Sequence, residues 1–392
     1  MRVLFAATWP THWQPMVPLA WALNAAGHQV RVAVPPRHAE VVARSGQIAV
    51  PAGSRDVDIA EIHKREVLPL MGKVREESEG AVTELRKRRT RASIGIYEQV
   101  AEAMAHDTVA FAEKWRPDLV VYEPTAFVGP MVGEVFGVLA ARHLWGPDGT
   151  SAGPGRGGRL ESEALDALAS QFGVPTFDNR GDVTIDPCPA SLQPQIECRR
   201  LPMRYVPYNG AIRRPPAPLP DPVKPRIAVS WGVSTFALTG GEAFLVPQVL
   251  EALRGLPIEI VVAARQDHHH LVAAPGVEPR VVEMELRLLL PTCDGLIHQG
   301  GGGTLLTAAA CGVPQLVIPQ MPDQRFSARQ LASAGAARVV PADEFDVESV
   351  RKQALALLDD DDLKAGAERL RDENSSRPSP AAVVSELEKI IG

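Results

Sequence analysis

Cysteine is scarce in this 392-residue chain: Cys188, Cys198, Cys293 and Cys311 are its four thiols, and no two form a Cys-x-x-Cys pair. That spacing points to neither a zinc site nor a disulfide framework, and a reducing cytoplasm is the expected compartment. Long apolar runs are missing too. The stretch Met1 to Ala7 meets polar residues and prolines too soon to serve as a signal-peptide core or a membrane span. No dense Lys/Arg tract occurs, and a formal net charge of -6 argues against a general nucleic-acid binder. Short-period repeats and low-complexity tracts are likewise absent; the 35 prolines and 32 glycines punctuate periodic segments. What is there is 45% hydrophobic and 22% charged, a soluble globular composition long enough for two domains.

The first half alternates strand and helix patterns. Strands are predicted at 2–7, 29–34, 47–50, 118–122 and 138–142, helices at 15–26 and 37–45, and a long charged helix at 81–114. Segments 53–80 and 146–160 are irregular, the second carrying Gly146-Pro147-Asp148-Gly149 and Gly153-Pro154-Gly155-Arg156-Gly157-Gly158. Seven prolines crowd residues 206–225, a density few regular elements survive, so this stretch reads as a linker. A second series of strands follows at 226–230, 258–263, 280–283, 295–298, 315–319 and 337–340. Strands separated by helices imply parallel βαβ units. The expected class is α/β: a Rossmann-like domain over 1–205, a linker over 206–225, a second Rossmann-like domain over 226–375, and a helix over 376–392 that packs back on the first. Ligands in such sheets bind beyond the carboxyl ends of the strands, which places the site in the cleft between the halves.

The most informative stretch is His298-Gln299-Gly300-Gly301-Gly302-Gly303-Thr304, between a predicted strand and a predicted helix over 305–311. Strand, glycine loop and helix together present backbone N–H groups and a positive helix end to an anion, and glycine lets the backbone approach closely. Asp323-Gln324 follows in a polar loop, offering an acceptor and a donor–acceptor side by side. A ligand with a diphosphate at one end and hydroxyls at the other fits both features, and a nucleotide sugar is such a ligand. Asp323 also reads as a cap for a helix over 324–334. His268-His269-His270 and Asp359 to Asp362 invite a metal reading, but adjacent histidines diverge and the aspartates lack cation-loop spacing.

These residues resemble the GT-B-fold glycosyltransferases of family 1, especially the bacterial branch that attaches deoxysugars to antibiotic aglycones. The family's phosphate loop, His-His-Gly-Gly-x-Gly-Thr, stands here as residues 298–304 with Gln299 in place of the second His. Gly312-Val313-Pro314-Gln315 and Asp323-Gln324 match at the family's spacing. His12-x-x-Pro15 is similar to the family's Gly-His-x-x-Pro, with Thr11 replacing Gly. Pro117-Asp118-Leu119-Val120-Val121-Tyr122-Glu123 resembles the segment ending in the family's acidic partner, usually Asp. Asp186 to Leu192 and Pro202 to Pro207 are similar to segments of the antibiotic branch.

The resemblance implies a role for each. His298 would donate to a diphosphate oxygen, with Gly300, Gly301, Gly302, Gly303 and Thr304 completing the cradle. Ser234, in the turn Ser230-Trp231-Gly232-Val233-Ser234, would contact phosphate or cap a helix. Asp323 and Gln324 would take sugar hydroxyls. Met284, beside Glu283, falls where the family places a Trp near the nucleobase. Gln299 is given no chemistry and is read as facing away. His12 would act as general base near neutral pH, oriented by Glu123.

The implied reaction is inverting transfer of a deoxysugar from a dTDP-sugar to a hydroxyl of a natural-product aglycone. The nucleotide sugar is a co-substrate; no other cofactor and no metal is expected, because no divalent-cation motif is read in the cleft-forming loops. The acceptor is expected to be apolar and held by 53–110 and 146–180. C-glycosyl transfer to a phenolic ring, a nucleotide-sugar epimerase of the same fold, and a non-catalytic sugar-nucleotide-binding helper stay open as alternatives. Some family members need an activator protein. No nucleic-acid or membrane partner is expected, and the chain should be a monomer or homodimer.

Overall fold

A computed structural model describes residues 1–71, 79–151, 159–211, 219–241 and 243–392. The first domain contributes strands β1 Arg2–Ala6, β2 Gln29–Val34, β3 Ala49–Pro51, β4 Leu119–Tyr122, β5 Leu139–His143, β6 Val183–Asp186 and β7 Arg200–Pro202. All pair in parallel, in the order β3-β2-β1-β4-β5-β6-β7. Successive residues of β1 and β4 enter two separate apolar clusters: Leu4, Ala6, Val120 and Tyr122 in one, Val3, Phe5, Leu119 and Val121 in the other. A sheet buried on both faces needs unbroken apolar strands, which is why these two were legible.

Helices cover those faces: α1 Val17–Ala25, α2 Ile59–Glu66, α3 Glu79–Trp115 and α4 Val128–Phe136. Helical geometry begins earlier than the apolar pattern predicts. A first turn, Pro10–Trp13, starts on a proline at its first positions and runs through Gln14–Met16 into α1, as proline's fixed φ favours at a helix start. His12 therefore sits on a helical turn. β6 and β7 escape the sequence pattern because each is short and ends beside proline: Val183-Thr184-Ile185-Asp186 precedes Pro187, and β7 ends on Pro202.

The second domain pairs β8 Arg226–Ser230, β9 Glu259–Ala263, β10 Arg280–Val282, β11 Gly295–His298, β12 Gln315–Val317 and β13 Ala337–Val339 in the order β10-β9-β8-β11-β12-β13, again parallel. Here α5 Ser234–Thr239, α6 Gly302–Cys311 and α7 Pro322–Ser333 follow β8, β11 and β12. The last helix, α8 Pro380–Ile391, returns to the first domain: Val383, Val384 and Leu387 join the cluster of Phe5 and Leu23, and Glu388 meets His28 at 2.8 Å. Residues 203–211 bridge the two domains: Met203 and Tyr208 pack on the first domain's cluster, while the Tyr205 hydroxyl donates to the Gly303 carbonyl at 3.2 Å. The glycine-rich stretch 153–158 and the proline-rich core of the expected linker, 212–218, lie outside the described residues. Among the described residues no helix is long and apolar enough to cross a membrane.

Strand order reverses beside the first strand of each domain, between β1 and β4 and between β8 and β11. Such switch points open a crevice at the carboxyl ends. His12 and Glu123 follow β1 and β4; Ser234 and the glycine loop follow β8 and β11. Both crevices face one interdomain cavity of about 3260 Å³.

Candidate active site

The acid–base side of the cavity is built around Glu123. Its carboxylate is fully buried and accepts hydrogen bonds from the Thr8 N–H (3.1 Å) and hydroxyl (2.6 Å) and from the Thr125 N–H (2.8 Å) and hydroxyl (2.7 Å). His12 Nδ1 lies 3.2 Å from Glu123 Oε2. Burial works to raise the Glu123 pKa. The His12 charge and hydrogen bond and the two threonine hydroxyls outweigh it, holding the carboxyl below its ordinary value. Because the carboxylate can only accept, Nδ1 carries a proton toward it, which leaves Nε2 as the nitrogen that gains or loses a proton; among the described residues nothing hydrogen-bonds Nε2. His12 lines the cavity, the Trp145 ring meeting it edge-on at 4.9 Å and Tyr97 lying 6.4 Å away. The Tyr97 pKa is raised by burial, with Glu123 and Asp323 adding to it against a Thr125 hydrogen bond. Thr8, Thr125, Tyr97 and Trp145 were not singled out from the sequence. Thr125, two residues beyond Glu123, was the available signal.

On the nucleotide side the structure corrects several assignments. His298 is fully buried: its Nε2 meets Gln315 Oε1 at 2.9 Å, and its Nδ1 accepts the Gly300 N–H at 3.0 Å. Burial lowers its pKa to about 4, against the Gln315 hydrogen bond. The ring braces the loop from beneath and is not open to a ligand. Gly300 serves the same brace; its φ of +96° is a conformation glycine adopts without strain. Gly301, Gly302, Gly303 and Thr304 do border the cavity, and at the start of α6 the N–H groups of Gly302, Gly303 and Thr304 have no intrahelical acceptor. Gln299, read as facing away, lines the cavity instead.

Ser234 opens α5 but caps nothing. Its hydroxyl accepts from Trp9 Nε1 at 3.0 Å and meets the Thr11 hydroxyl at 2.9 Å, tying the two domains together. Gln324 also differs from expectation. Its Oε1 accepts the Gln320 and Met321 N–H groups at 2.9 and 3.1 Å, and its Nε2 donates to Thr235 at 3.0 Å, so it caps α7 and fastens that helix to α5. Asp323 is not the cap, since α7 begins at Pro322. Its carboxyl opens to the cavity, yet the surrounding cleft walls desolvate it and raise its pKa, against backbone N–H groups and nearby His12. Met284 and Glu283, in the loop after β10, border the same cavity.

Asp56-Val57-Asp58, just before α2, is an Asp-x-Asp sequence. Asp58 caps α2 and pairs with Arg37 at 2.9 Å, and Asp56 bonds Ser54. The histidine run forms a 3-10 turn in which His268 stacks on Phe236 at 4.1 Å while His269 bonds the Ala264 carbonyl, so the rings diverge.

Comparison with known proteins gives this geometry a family. The model of the erythromycin biosynthesis protein CIII-like N-terminal domain matches residues 21–232, and that of the C-terminal domain matches residues 247–390. The 10-deoxymethynolide desosaminyltransferase of Streptomyces venezuelae is 34% identical, covering 100% of this chain and 97% of its own. The aklavinone 7-beta-L-rhodosaminyltransferase of Streptomyces galilaeus is 34% identical over 100% and 96%. The spinosyn rhamnosyltransferase SpnG complexed with thymidine diphosphate superposes with a TM-score of 0.79 at 30% identity, covering 99% of this chain and 100% of that one; its complex with spinosyn aglycone gives 0.78 at 31%, with the same coverage. The chain belongs to the erythromycin biosynthesis protein CIII-like family and is a glycosyltransferase of GT-B fold, in the branch that puts deoxysugars on antibiotic aglycones.

Proposed function

We propose that this glycosyltransferase moves a deoxysugar from a dTDP-sugar to a hydroxyl of a natural-product aglycone, with inversion at the anomeric carbon. The observation that carries the proposal is the His12–Glu123 pair at 3.2 Å, with His12 on the cavity wall. The acceptor oxygen attacks the anomeric carbon as the bond to the diphosphate oxygen breaks. His12 Nε2 takes the acceptor proton, and Glu123 stabilises the imidazolium that forms. The departing dTDP carries its charge to the free N–H groups and the positive end of α6. Asp323, open to the cavity, is the residue we assign to sugar hydroxyls. No step requires a metal, because the leaving charge meets preorganised N–H dipoles. A single displacement inverts the centre. The choice of a dTDP-sugar and an apolar aglycone is supported by the ligands of SpnG and by apolar lining such as Ile59, Val67, Ile94 and Leu160.

His12→Ala should bind dTDP with near-normal affinity by calorimetry, while transfer falls on the order of 10²- to 10⁴-fold. Transfer at a comparable rate would overturn the assignment of the base. Release of dTDP on mixing with donor and aglycone separates transfer from a binder or an epimerase, which would leave the sugar attached to the diphosphate.

A further inference from the structure

Helix α2 turns one face to the cavity. Ile59, His63 and Val67 all line it, and spacing by four residues stacks side chains along one helical stripe. The stripe is apolar except at His63. Ile59, Val67 and Phe127 belong to one core cluster of the first domain, and Leu238 of the second domain packs against that cluster. Phe127, Ile94 and Leu160 add further apolar lining.

His63 is only 6% exposed. Its Nδ1 lies 3.2 Å from the Leu238 carbonyl oxygen in α5. A carbonyl only accepts, so Nδ1 carries the proton. Burial lowers the pKa of the ring, against that bond, which favours the neutral form. A neutral imidazole protonated at Nδ1 has its lone pair at Nε2. Among the described residues nothing hydrogen-bonds Nε2. A buried acceptor on an apolar wall calls for a donor. The bond that fixes its tautomer crosses from one domain to the other.

On the acceptor reading above, the aglycone is the ligand that meets this wall, and the inference rests on that reading. We infer that His63 orients the aglycone, its Nε2 accepting a hydrogen bond from a hydroxyl other than the one that receives the sugar. The acceptor class narrows to apolar aglycones with a second hydroxyl. Seating that hydroxyl on α2 selects which oxygen reaches His12.

Spinosyn aglycone, the ligand of SpnG, and its monomethyl ethers are the probes, titrated by calorimetry into protein saturated with dTDP. H63N keeps a donor near the Nδ1 position for the Leu238 carbonyl and places nothing at Nε2. Its Kd for the aglycone should rise on the order of tenfold, the cost of leaving a buried hydroxyl without its partner, while dTDP affinity stays as in wild type. H63Q, whose amide oxygen reaches the Nε2 position, should bind the aglycone within a few-fold of wild type. Methylation of the hydroxyl seated on His63 should weaken binding to wild type by a similar factor, and H63N should bind that ether and the parent alike. Nitrogen-15 NMR of histidine-labelled wild type keeps the test alive if H63N does not fold: the His63 Nε2 resonance should be that of an unprotonated nitrogen and should move when aglycone is added. H63N binding the aglycone within twofold of wild type overturns the inference, as does an equal loss of aglycone and dTDP, or a proton found on Nε2. Wild-type protein that takes up dTDP but no aglycone overturns instead the acceptor reading on which the inference stands.

Discussion

A carboxylate buried as deeply as Glu123 destabilises the fold unless its charge is answered. Here the two threonines and His12 answer it. Glu123→Gln would remove the charge and bring an NH₂ group against donors. Transfer should fall roughly 10²- to 10⁴-fold, as when a triad acid becomes its amide, while dTDP affinity stays as it was. Steady-state kinetics beside calorimetry would decide it; an unchanged kcat would show that His12 needs no acidic partner. Stability follows with a definite sign. The folded-state pKa is depressed, so Glu123 contributes stability that is present above the ordinary glutamate range and lost as pH falls through its lowered value. Urea unfolding of the variant should therefore be flatter than wild type in that acid window.

Among the elements, the segment Trp145 to Ser151 joins the two sides of the site. Arg142 and Asp148 form a buried pair at 2.8 Å, and Arg142 also donates to Ser151 at 2.7 Å, pinning the segment to its own domain. Its far side is seated on the phosphate loop and on α7: a Cβ on Gly302 would fall 2.5 Å from the Trp145 carbonyl oxygen, and one on Gly149 3.0 Å from Phe326 of α7. Gly302→Ala should force the domains apart near His12. Displacement of about an ångström in a catalytic arrangement can cost on the order of 10² in rate, so kcat/KM should drop by roughly that factor with little change in circular dichroism. Activity within twofold of wild type would mean the contact is not needed for closure. Helix α8 supports a second prediction. Leu387 is fully buried in the first domain's core, and Leu387→Ala should cost about 2 to 5 kcal/mol in urea unfolding. Elements of this kind also mark what a sequence can reveal. Continuous apolar strands such as β1, β4 and β11 and the glycine loop were legible because period and composition express them directly. The partner of Glu123's second oxygen, the sealing of His298 and the inward turn of Gln299 were not. Each depends on which neighbour the register brings alongside, such as Gln315 beside His298 across β11 and β12, and no local pattern encodes that.

On the scale of the molecule, both domains carry a buried histidine at the carboxyl end of a strand beneath the cleft. His143 closes β5 and His298 closes β11, and neither has exposed surface. Burial lowers each to about 4, against hydrogen bonds to backbone and to Gln315 respectively. Among the described residues His143 Nε2 has no partner, so none of them compensates a charge there. An unfolded histidine titrates near 6.5. The sign is the reverse of a histidine with an acidic partner: between about 6.5 and about 4 the unfolded chain binds protons that the folded chain refuses. Stability is intact above that window, falls as pH falls through it, and loses nothing more from these two groups below it. Each could contribute on the order of 3 kcal/mol at most, at 1.36 kcal/mol per unit. This loss begins well above the window of Glu123, so the two are separable. Urea unfolding at pH 7.5, 6 and 5 should show a steady decline in wild type and a shallower one in His298→Gln, where glutamine can still reach Gln315. With one histidine in each domain, acid should weaken both walls of the cleft, and His143→Gln combined with His298→Gln should flatten the profile further than either change alone. A wild-type profile level from pH 7.5 to 5 would mean that these rings protonate without resistance in the folded chain.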